Sequence, residues 1–200
     1  VALAAPVIAQ PAAPVPAQLD ATIGNAMRAR HIASVAVAVV RDGNVVLARA
    51  WGDAKLREEP AQPDTIYFMD SATKQFTAAA IMLLVQQGRI SVDDPVRKYL
   101  PAAPASWDPI LIRHLLSHTA GFVRDARPYA PIPEQNCRPE ALLGPLFKLA
   151  PQWPPGSKFS YSNAGFNTLA AVIERVTGGC YFELAKTRIF EPLSMQRTEL

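Results

Sequence analysis

Residues 68–77 read FMDSATKQFT and lead into an apolar, strongly helix-forming run at residues 78–85. The pattern predicts a helix with Ser71 at or near its N-terminus, where the helix dipole and free backbone N–H groups favour a developing negative charge. Lys74 returns to the same face one turn later. A lysine partly desolvated against Phe76 loses its proton more readily than one in water, and the neutral amine is a usable base for a serine nucleophile. The alternative is a capping serine beside a solvated lysine, because Ser-x-x-Lys arises by chance about once in a chain of this length.

A second polar cluster, Tyr161-Ser162-Asn163, is the one Tyr-x-Asn of the chain. A tyrosine supplies a second base or proton shuttle, and an amide orients a lysine or a substrate carbonyl. The cluster follows a rigid turn, which the Trp-Pro-Pro-Gly-Ser run at residues 153–157 predicts. Asn163 also precedes an apolar periodic run, so the alternative is that it only caps that helix and that Tyr161 is a core aromatic. Combined with Ser71 and Lys74, the cluster indicates a serine acyl-transfer site.

A third stretch, at residues 112–122, reads IRHLLSHTAGF. Together with the two clusters, it follows the motif order of a known family. Residues 68–77 are similar to the nucleophile motif of the serine β-lactamase and penicillin-binding protein superfamily. Residues 112–122 resemble a structural hallmark of that superfamily, and residues 155–163 resemble its second catalytic motif. The resemblance is to the class C-like branch of β-lactamases, D-alanyl-D-alanine carboxypeptidases and related esterases.

This resemblance implies a fold and a set of roles. The fold is α/β (α+β), an antiparallel sheet plus a helical subdomain, with the active site in the cleft between them. Ser71 is implied as the nucleophile, and Lys74 and Tyr161 as the groups that share the general-base and general-acid work. Asn163 is implied to hold Lys74 and to bind the acyl amide of the substrate. The Tyr-Ser-Asn form is more typical of carboxypeptidases and esterases of this branch than of class C β-lactamases, which usually carry Tyr-Ala-Asn.

The family's third motif, a Lys or His followed by Thr or Ser and then Gly, has no match between Asn163 and Leu200, and Lys186-Thr187-Arg188 does not fit it. In the family, that strand donates the second oxyanion-hole amide, and losing one such donor costs about 10²-fold to 10³-fold in rate. We therefore expect residues 19–200 to be the N-terminal and helical part of such a domain, without its C-terminal strands and inactive alone. The alternative is a non-catalytic or truncated member that binds a peptide-like ligand or a partner.

The periodicity of the chain predicts one clear β-hairpin and a mostly helical remainder. Strands at residues 34–41 and 45–51 flank the turn Asp42-Gly43-Asn44. A lone hairpin is marginal in water, which also indicates that further strands belong to the fold. Helices are predicted near residues 18–30, 110–117, 140–149, 165–176 and 181–189.

Half of the 200 residues are hydrophobic, which indicates a globular chain. The net charge of +3 is dispersed without a basic run or interleaved aromatics, so no nucleic-acid partner is expected, and the implied partner is a small-molecule or peptide-like substrate. No cofactor is implied, and the sequence does not set the oligomeric state.

Residues 1–18 are rich in Ala and Pro and carry no charge. They predict either a signal-peptide remnant, and hence export to the periplasm or the extracellular space, or a simple linker. Pro6 and Pro11 argue against a membrane span. Cys137 and Cys180 are too few for a disulfide scaffold, and whether they pair is left open.

Two rival chemistries are disfavoured by the sequence. His114 and His118 have the i, i+4 spacing of a zinc-binding helix, but Leu115 occupies the position that needs a glutamate. Buried or capping histidines are expected instead, without a metal. A triad of Ser117, His118 and Asp125 is disfavoured because adjacent side chains on one backbone rarely achieve the geometry of a nucleophile and its base, and the chain has no Gly-x-Ser-x-Gly.

Overall fold

A computed structural model describes residues 17–123 and 139–198 of the chain. The chain divides between Phe68 and Met69 into two units. The first unit carries the sheet, and the second carries the helices that hold the clusters around Ser71 and Tyr161. Within the described ranges, no helix has both the length and the apolar character that crossing a bilayer requires.

The first unit combines one helix with an antiparallel sheet. Its elements are helix α1 (Ala17–Arg30) and strands β1 (Ser34–Arg41), β2 (Asn44–Lys55) and β3 (Glu59–Pro60), paired in the order β1-β2-β3. Asp42 and Gly43 have φ angles of 52° and 76°, and a two-residue type I′ hairpin turn requires positive φ at both positions. The predicted hairpin is confirmed. The short strand β3 was not predicted, because a Glu-Pro pair has no strand-like pattern.

The second unit is helical in all of its described regular elements. Its helices are α2 (Lys74–Gln86), α3 (Ile112–Leu116), α4 (Pro139–Leu146), α5 (Asn163–Thr177) and α6 (Tyr181–Ala185). Four short turns add to them: the 3₁₀ turns Asp70–Thr73, Val96–Lys98 and Ala105–Trp107, and the π turn Lys186–Phe190. The predicted helices of this unit are confirmed with shifted ends. Lys186-Thr187-Arg188 lies in the π turn, directly after α6.

The core of the second unit forms around α2 and α5. Helix α5 buries one face because its apolar residues recur every three or four positions, whereas α2 is apolar along most of its length. Burial of each large aliphatic side chain contributes about 1.5–3 kcal/mol relative to exposure. The buried side chains of these two helices include Ala80, Ile81, Leu84, Leu169, Val172 and Ile173.

Trp107 fixes the region that follows α2. Its side chain is fully buried, and its indole N–H donates to the carbonyl of Leu149 at 2.7 Å. Its ring packs on Phe122 and Phe147 with centroid distances of 5.0 and 5.6 Å. A buried indole with a satisfied N–H adds apolar burial without an unpaired donor.

Helices and an antiparallel sheet occur together, which confirms the predicted α/β (α+β) class.

Candidate active site

Ser71 lies on the 3₁₀ turn Asp70–Thr73, which leads directly into α2. Asp70 adopts a left-handed conformation with φ of 45°, so the backbone bends sharply just before the serine. No side chain caps this turn or α2, and Ser71 is exposed. Ser71 therefore lies near the positive end of the α2 dipole, where negative charge is favoured.

Lys74, the first residue of α2, connects the two polar clusters. Its Nζ donates to Asn163 Oδ1 at 2.8 Å. The same Nζ lies 3.4 Å from Ser71 Oγ, at the long end of the hydrogen-bond range. Because Lys74 begins α2 and Asn163 begins α5, this contact brings the N-termini of the two helices together.

Two aromatic rings face the Lys74 side chain. The ring centroids of Tyr161 and Phe166 lie 4.9 and 5.7 Å from Nζ, within the range of a cation–π interaction. Phe76, against which the sequence predicts partial desolvation of Lys74, packs edge-to-face on Phe190 at 5.1 Å. Phe76 is partly buried against the helical core, and the two rings that face Lys74 belong to the segment that starts α5.

Tyr161 completes the cluster. Its hydroxyl donates to Ser71 Oγ at 2.6 Å and is also hydrogen-bonded to Lys74. Burial alone raises the pKa of Tyr161, but the hydrogen bonds with Lys74 and Ser71 and the charge of Lys74 outweigh it, so the pKa falls below its ordinary value of 10.0. The phenol is therefore a stronger acid than free tyrosine, and a larger fraction of it is phenolate at a given pH.

The alternative in which Asn163 caps the following helix is wrong, because Ser162 occupies that position. Ser162 has an extended backbone, and its Oγ accepts from the N–H of Gly165 at 3.3 Å. A serine directly before the helix competes for the cap, and its short hydroxyl reaches the third helical N–H. Asn163 is consequently the first residue of α5, and its side chain is free to bind Lys74.

Residues 117–121 hold the loop that precedes Tyr161, and we name them the clamp segment. The Thr119 carbonyl accepts from the N–H of Gly156, and the His118 carbonyl accepts from the N–H of Ser160, each at 2.8 Å. The clamp segment lies within the stretch at residues 112–122 that the sequence marks as a structural hallmark. Its contacts give that stretch a physical role, because they hold the loop that leads into the Tyr-x-Asn cluster.

Gly121 ends the clamp segment with a contact that excludes a side chain. Its carbonyl accepts from the N–H of Gln152 at 2.8 Å. Its φ is 88°, and a Cβ built there would lie 2.4 Å from the carbonyl oxygen of Trp153 and 2.9 Å from Pro151 Cβ. Only glycine fits this backbone without a shift of the neighbouring chain.

The two histidines of the hallmark stretch have separate partners. His114 Nδ1 accepts from the N–H of Leu111 at 3.1 Å, at the start of α3, so the expected capping role is confirmed for His114. Burial, together with the charge of Arg113, lowers the pKa of His114. His118 Nδ1 accepts from the N–H of Ser162, at 3.1 Å. In the part of the chain that the structure describes, no group of three His, Cys, Asp or Glu side chains is arranged to hold a metal ion.

The hydroxyl of Ser117 is directed away from a triad. Ser117 Oγ donates to the carbonyl of Arg113 at 2.7 Å and is hydrogen-bonded to Thr119 Oγ1 at 2.8 Å. Asp125, the third member of the disfavoured triad, lies outside the described residues. Sequence reasoning gave His118 no role at the site, although the structure places it there. The signal that could have indicated such a role is its position in the hallmark stretch at residues 112–122.

The four candidate site residues thus form one hydrogen-bonded cluster in the second unit. A serine at a helix start, a lysine one turn later, and a tyrosine and an asparagine at the start of a second helix define the class of serine β-lactamases and penicillin-binding proteins. The family model described as Beta-lactamase matches residues 19–200, and the chain belongs to this family. The resemblance found in the sequence is confirmed.

The known proteins to which this chain is similar are longer than the region that they share with it. Protein flp of Staphylococcus aureus (strain MW2) is 29% identical over 189 residues, which cover 90% of this chain and 37% of that protein. The octameric penicillin-binding protein homologue from Pyrococcus abyssi superposes with a TM-score of 0.77 and 32% identity, over 90% of this chain and 43% of that chain. The D-amino acid amidase from Ochrobactrum anthropi SV3 gives a TM-score of 0.74 and 27% identity, over 88% of this chain and 49% of that chain. The chain therefore spans about half or less of the length of these proteins.

Proposed function

We propose that the protein is a serine hydrolase of the class C-like branch, which cleaves an amide, ester or β-lactam carbonyl through an acyl-enzyme. The observation that carries this proposal is the continuous chain of contacts from Tyr161 to Ser71, Lys74 and Asn163, with distances of 2.6, 3.4 and 2.8 Å. A nucleophile within reach of a base that is itself oriented by a third group is the arrangement that covalent catalysis needs. Membership of the Beta-lactamase family supports the same reaction class.

Acylation begins at Ser71. Tyr161 is the nearer base, and its lowered pKa makes the phenolate accessible as the acceptor of the Ser71 proton. Lys74 assists this step, because its Nζ contacts the same Oγ and its positive charge stabilises the phenolate. As the Oγ–H bond breaks, Oγ forms a bond to the carbonyl carbon, and negative charge develops on the carbonyl oxygen.

Two groups of the described site face the substrate in this proposal. The N–H of Ser71, at the uncapped helix start, is one donor to the developing oxyanion. Asn163 Oδ1 already accepts from Lys74, which leaves the two N–H bonds of Nδ2 to donate to the acyl amide of the substrate. Asn163 therefore links the position of the base to the position of the substrate.

The remaining steps use the same groups in reverse. Tyr161 returns its proton to the leaving nitrogen or oxygen as the carbonyl–leaving-group bond breaks, which gives the acyl-enzyme on Ser71. A water molecule then attacks the ester while the phenolate accepts its proton. The bond between the acyl carbon and Ser71 Oγ breaks, Tyr161 gives the proton to Oγ, and the acid product leaves. A small-molecule or peptide-like substrate fits this chemistry, and the structural likeness to a D-amino acid amidase supports an amide of an amino acid among the candidates.

Covalent labelling tests the proposal. The full-length protein is treated with a fluorescent penicillin and, separately, with a fluorophosphonate, and the mass gain is measured by intact mass spectrometry. We expect one adduct, located on Ser71 by peptide mapping and absent from Ser71→Ala. Ser106→Ala is the matched control, because Ser106 is an exposed serine on the separate turn Ala105–Trp107. Labelling that persists in Ser71→Ala, or no labelling of the correctly folded wild type, would overturn the assignment.

We also propose that the protein is exported. The support is the uncharged, Ala- and Pro-rich composition of residues 1–18. Cys137 lies outside the described residues. Fractionation of cells that express the natural gene tests this proposal, and accumulation in the cytoplasm would contradict it.

A further inference from the structure

His118 occupies a position beside the candidate site that its sequence context alone does not explain. Its backbone is left-handed, with φ of 57°, a conformation that a residue with a Cβ adopts at an energetic cost. Its ring lies 4.6 Å from the ring of Tyr161 and 4.9 Å from that of Phe166, at tilts of 33° and 37°. These are the same two rings that face Lys74. The imidazole is therefore packed against the two aromatic rings that line the site beside Lys74.

His118 also holds both neighbours of Tyr161 along the chain. Its carbonyl accepts from the N–H of Ser160 at 2.8 Å, and its Nδ1 accepts from the N–H of Ser162 at 3.1 Å. Two hydrogen bonds from one residue thus flank Tyr161 on either side. They restrict the backbone from which the Tyr161 hydroxyl reaches Ser71 Oγ and from which α5 begins.

The hydrogen bond to Ser162 requires an unprotonated Nδ1, so the ring is the neutral tautomer with its proton on Nε2. Burial lowers the pKa of His118, the nearby charge of Lys74 lowers it further, and together they outweigh the backbone hydrogen bond with Ser162, which raises it. An imidazolium would lose the acceptor and would place a second positive charge near Lys74. The site therefore favours the form of His118 that can hold Ser162.

We propose that His118 is a positioning residue, whose Nδ1 and carbonyl together hold the Tyr161–Asn163 segment in register with Ser71. The inference rests on the proposed function, since it concerns how that site is assembled. It differs from a packing role, in which the ring would only fill space between Tyr161 and Phe166. The two roles make different predictions for side chains that keep an acceptor at the Nδ1 position.

A pair of amide variants separates the roles. In His118→Asn, Oδ1 occupies about the position of Nδ1 and can accept from Ser162, and asparagine tolerates the left-handed backbone. In His118→Gln, the added methylene moves the amide oxygen toward the position of Nε2, so the same chemical group is present but displaced. We expect His118→Gln to lower kcat for p-nitrophenyl acetate about 10-fold to 100-fold with KM changed less than about 2-fold, and His118→Asn to retain most of the rate.

The ionisation of Tyr161 gives a second readout that does not depend on turnover. It is followed in the full-length protein by NMR of ring-labelled tyrosine, with Tyr161→Phe to assign the signal. We expect the pKa of Tyr161 to rise toward its ordinary value in His118→Gln, because the hydroxyl loses its contacts with Ser71 and Lys74, and to stay low in His118→Asn.

The outcomes separate the inference from the proposed function. A wild-type protein that hydrolyses no ester and takes no label at Ser71 contradicts the proposed function, and the Tyr161 titration then still tests positioning. Equal loss of kcat in the two variants, in proportion to their loss of thermal stability, would show a packing role and overturn the inference. An unchanged Tyr161 titration in His118→Gln would overturn it as well.

Discussion

Replacement of Gly121 by alanine tests whether the clamp segment determines the geometry of the site. A Cβ at this position would lie 2.4 Å from the Trp153 carbonyl oxygen and 2.9 Å from Pro151 Cβ. Both neighbours belong to the loop that leads to Tyr161, and one of the two contacts is with backbone. The overlap is therefore relieved by a shift of that loop or of Gly121 itself, rather than by rotation of a side chain.

The expected cost has three parts. A left-handed alanine costs about 1 kcal/mol relative to glycine. Loss of the hydrogen bond from Gln152 to the Gly121 carbonyl costs about 1 kcal/mol, and relief of the steric overlap costs about 1–2 kcal/mol. The free energy of unfolding is thus expected to fall by about 3–4 kcal/mol. Gly178→Ala is the matched control, since Gly178 ends α5 with φ of 73° and has no atom within 4 Å of an added Cβ. Its cost is the backbone part alone, about 1 kcal/mol.

The assay compares the two variants with wild type in the full-length protein. Urea unfolding followed by far-ultraviolet circular dichroism gives the free energies, and the rate of Ser71 labelling by a fluorophosphonate is measured where all three proteins are folded. We expect Gly121→Ala alone to label about 10-fold or more slowly, because a shift of about 1 Å at Tyr161 disturbs the reactive geometry. Equal destabilisation by the two alanines, or wild-type labelling by Gly121→Ala, would refute the reasoning.

Two further predictions concern single ionisable groups. Tyr161→Phe should slow Ser71 acylation by about 10²-fold to 10⁴-fold, and the rise of rate with pH that follows phenolate formation in the wild type should disappear, as a pH profile of labelling would show. Unchanged labelling would exclude Tyr161 as a base. Hydrogen bonds from Tyr99 and Lys98 lower the pKa of Asp94 from 3.8 to about 2, so its contribution to stability is fully present above pH 3.8 and is lost as the pH falls toward 2. Asp94→Asn should lower the free energy of unfolding by about 1 kcal/mol at pH 7, after allowance for solvent screening, and weaken the acid dependence, which urea unfolding at several pH values checks.

The nucleophile motif and the hairpin follow from local pattern. The helix behind Ser71 depends on apolar residues within a few positions, and the turn at Asp42 and Gly43 depends on two residues that accept positive φ. The third strand and the cap of α5 were missed because local pattern does not decide them. A two-residue strand has no periodicity, and Ser162 and Asn163 have similar cap propensity, so the choice between them depends on their surroundings.

The sequence by itself determined the family, the candidate nucleophile and the residue types of the site, because short motifs and helix starts are encoded by neighbours along the chain. Tertiary structure alone decided which rings face Lys74, that Ser162 rather than Asn163 caps α5, and that His118 holds both sides of Tyr161. Lys74 and Asn163 are 89 positions apart, and His118 and Ser162 are 44 apart. Contacts at such separations depend on how the helices pack, and propensities that act over a few residues carry no information about that packing.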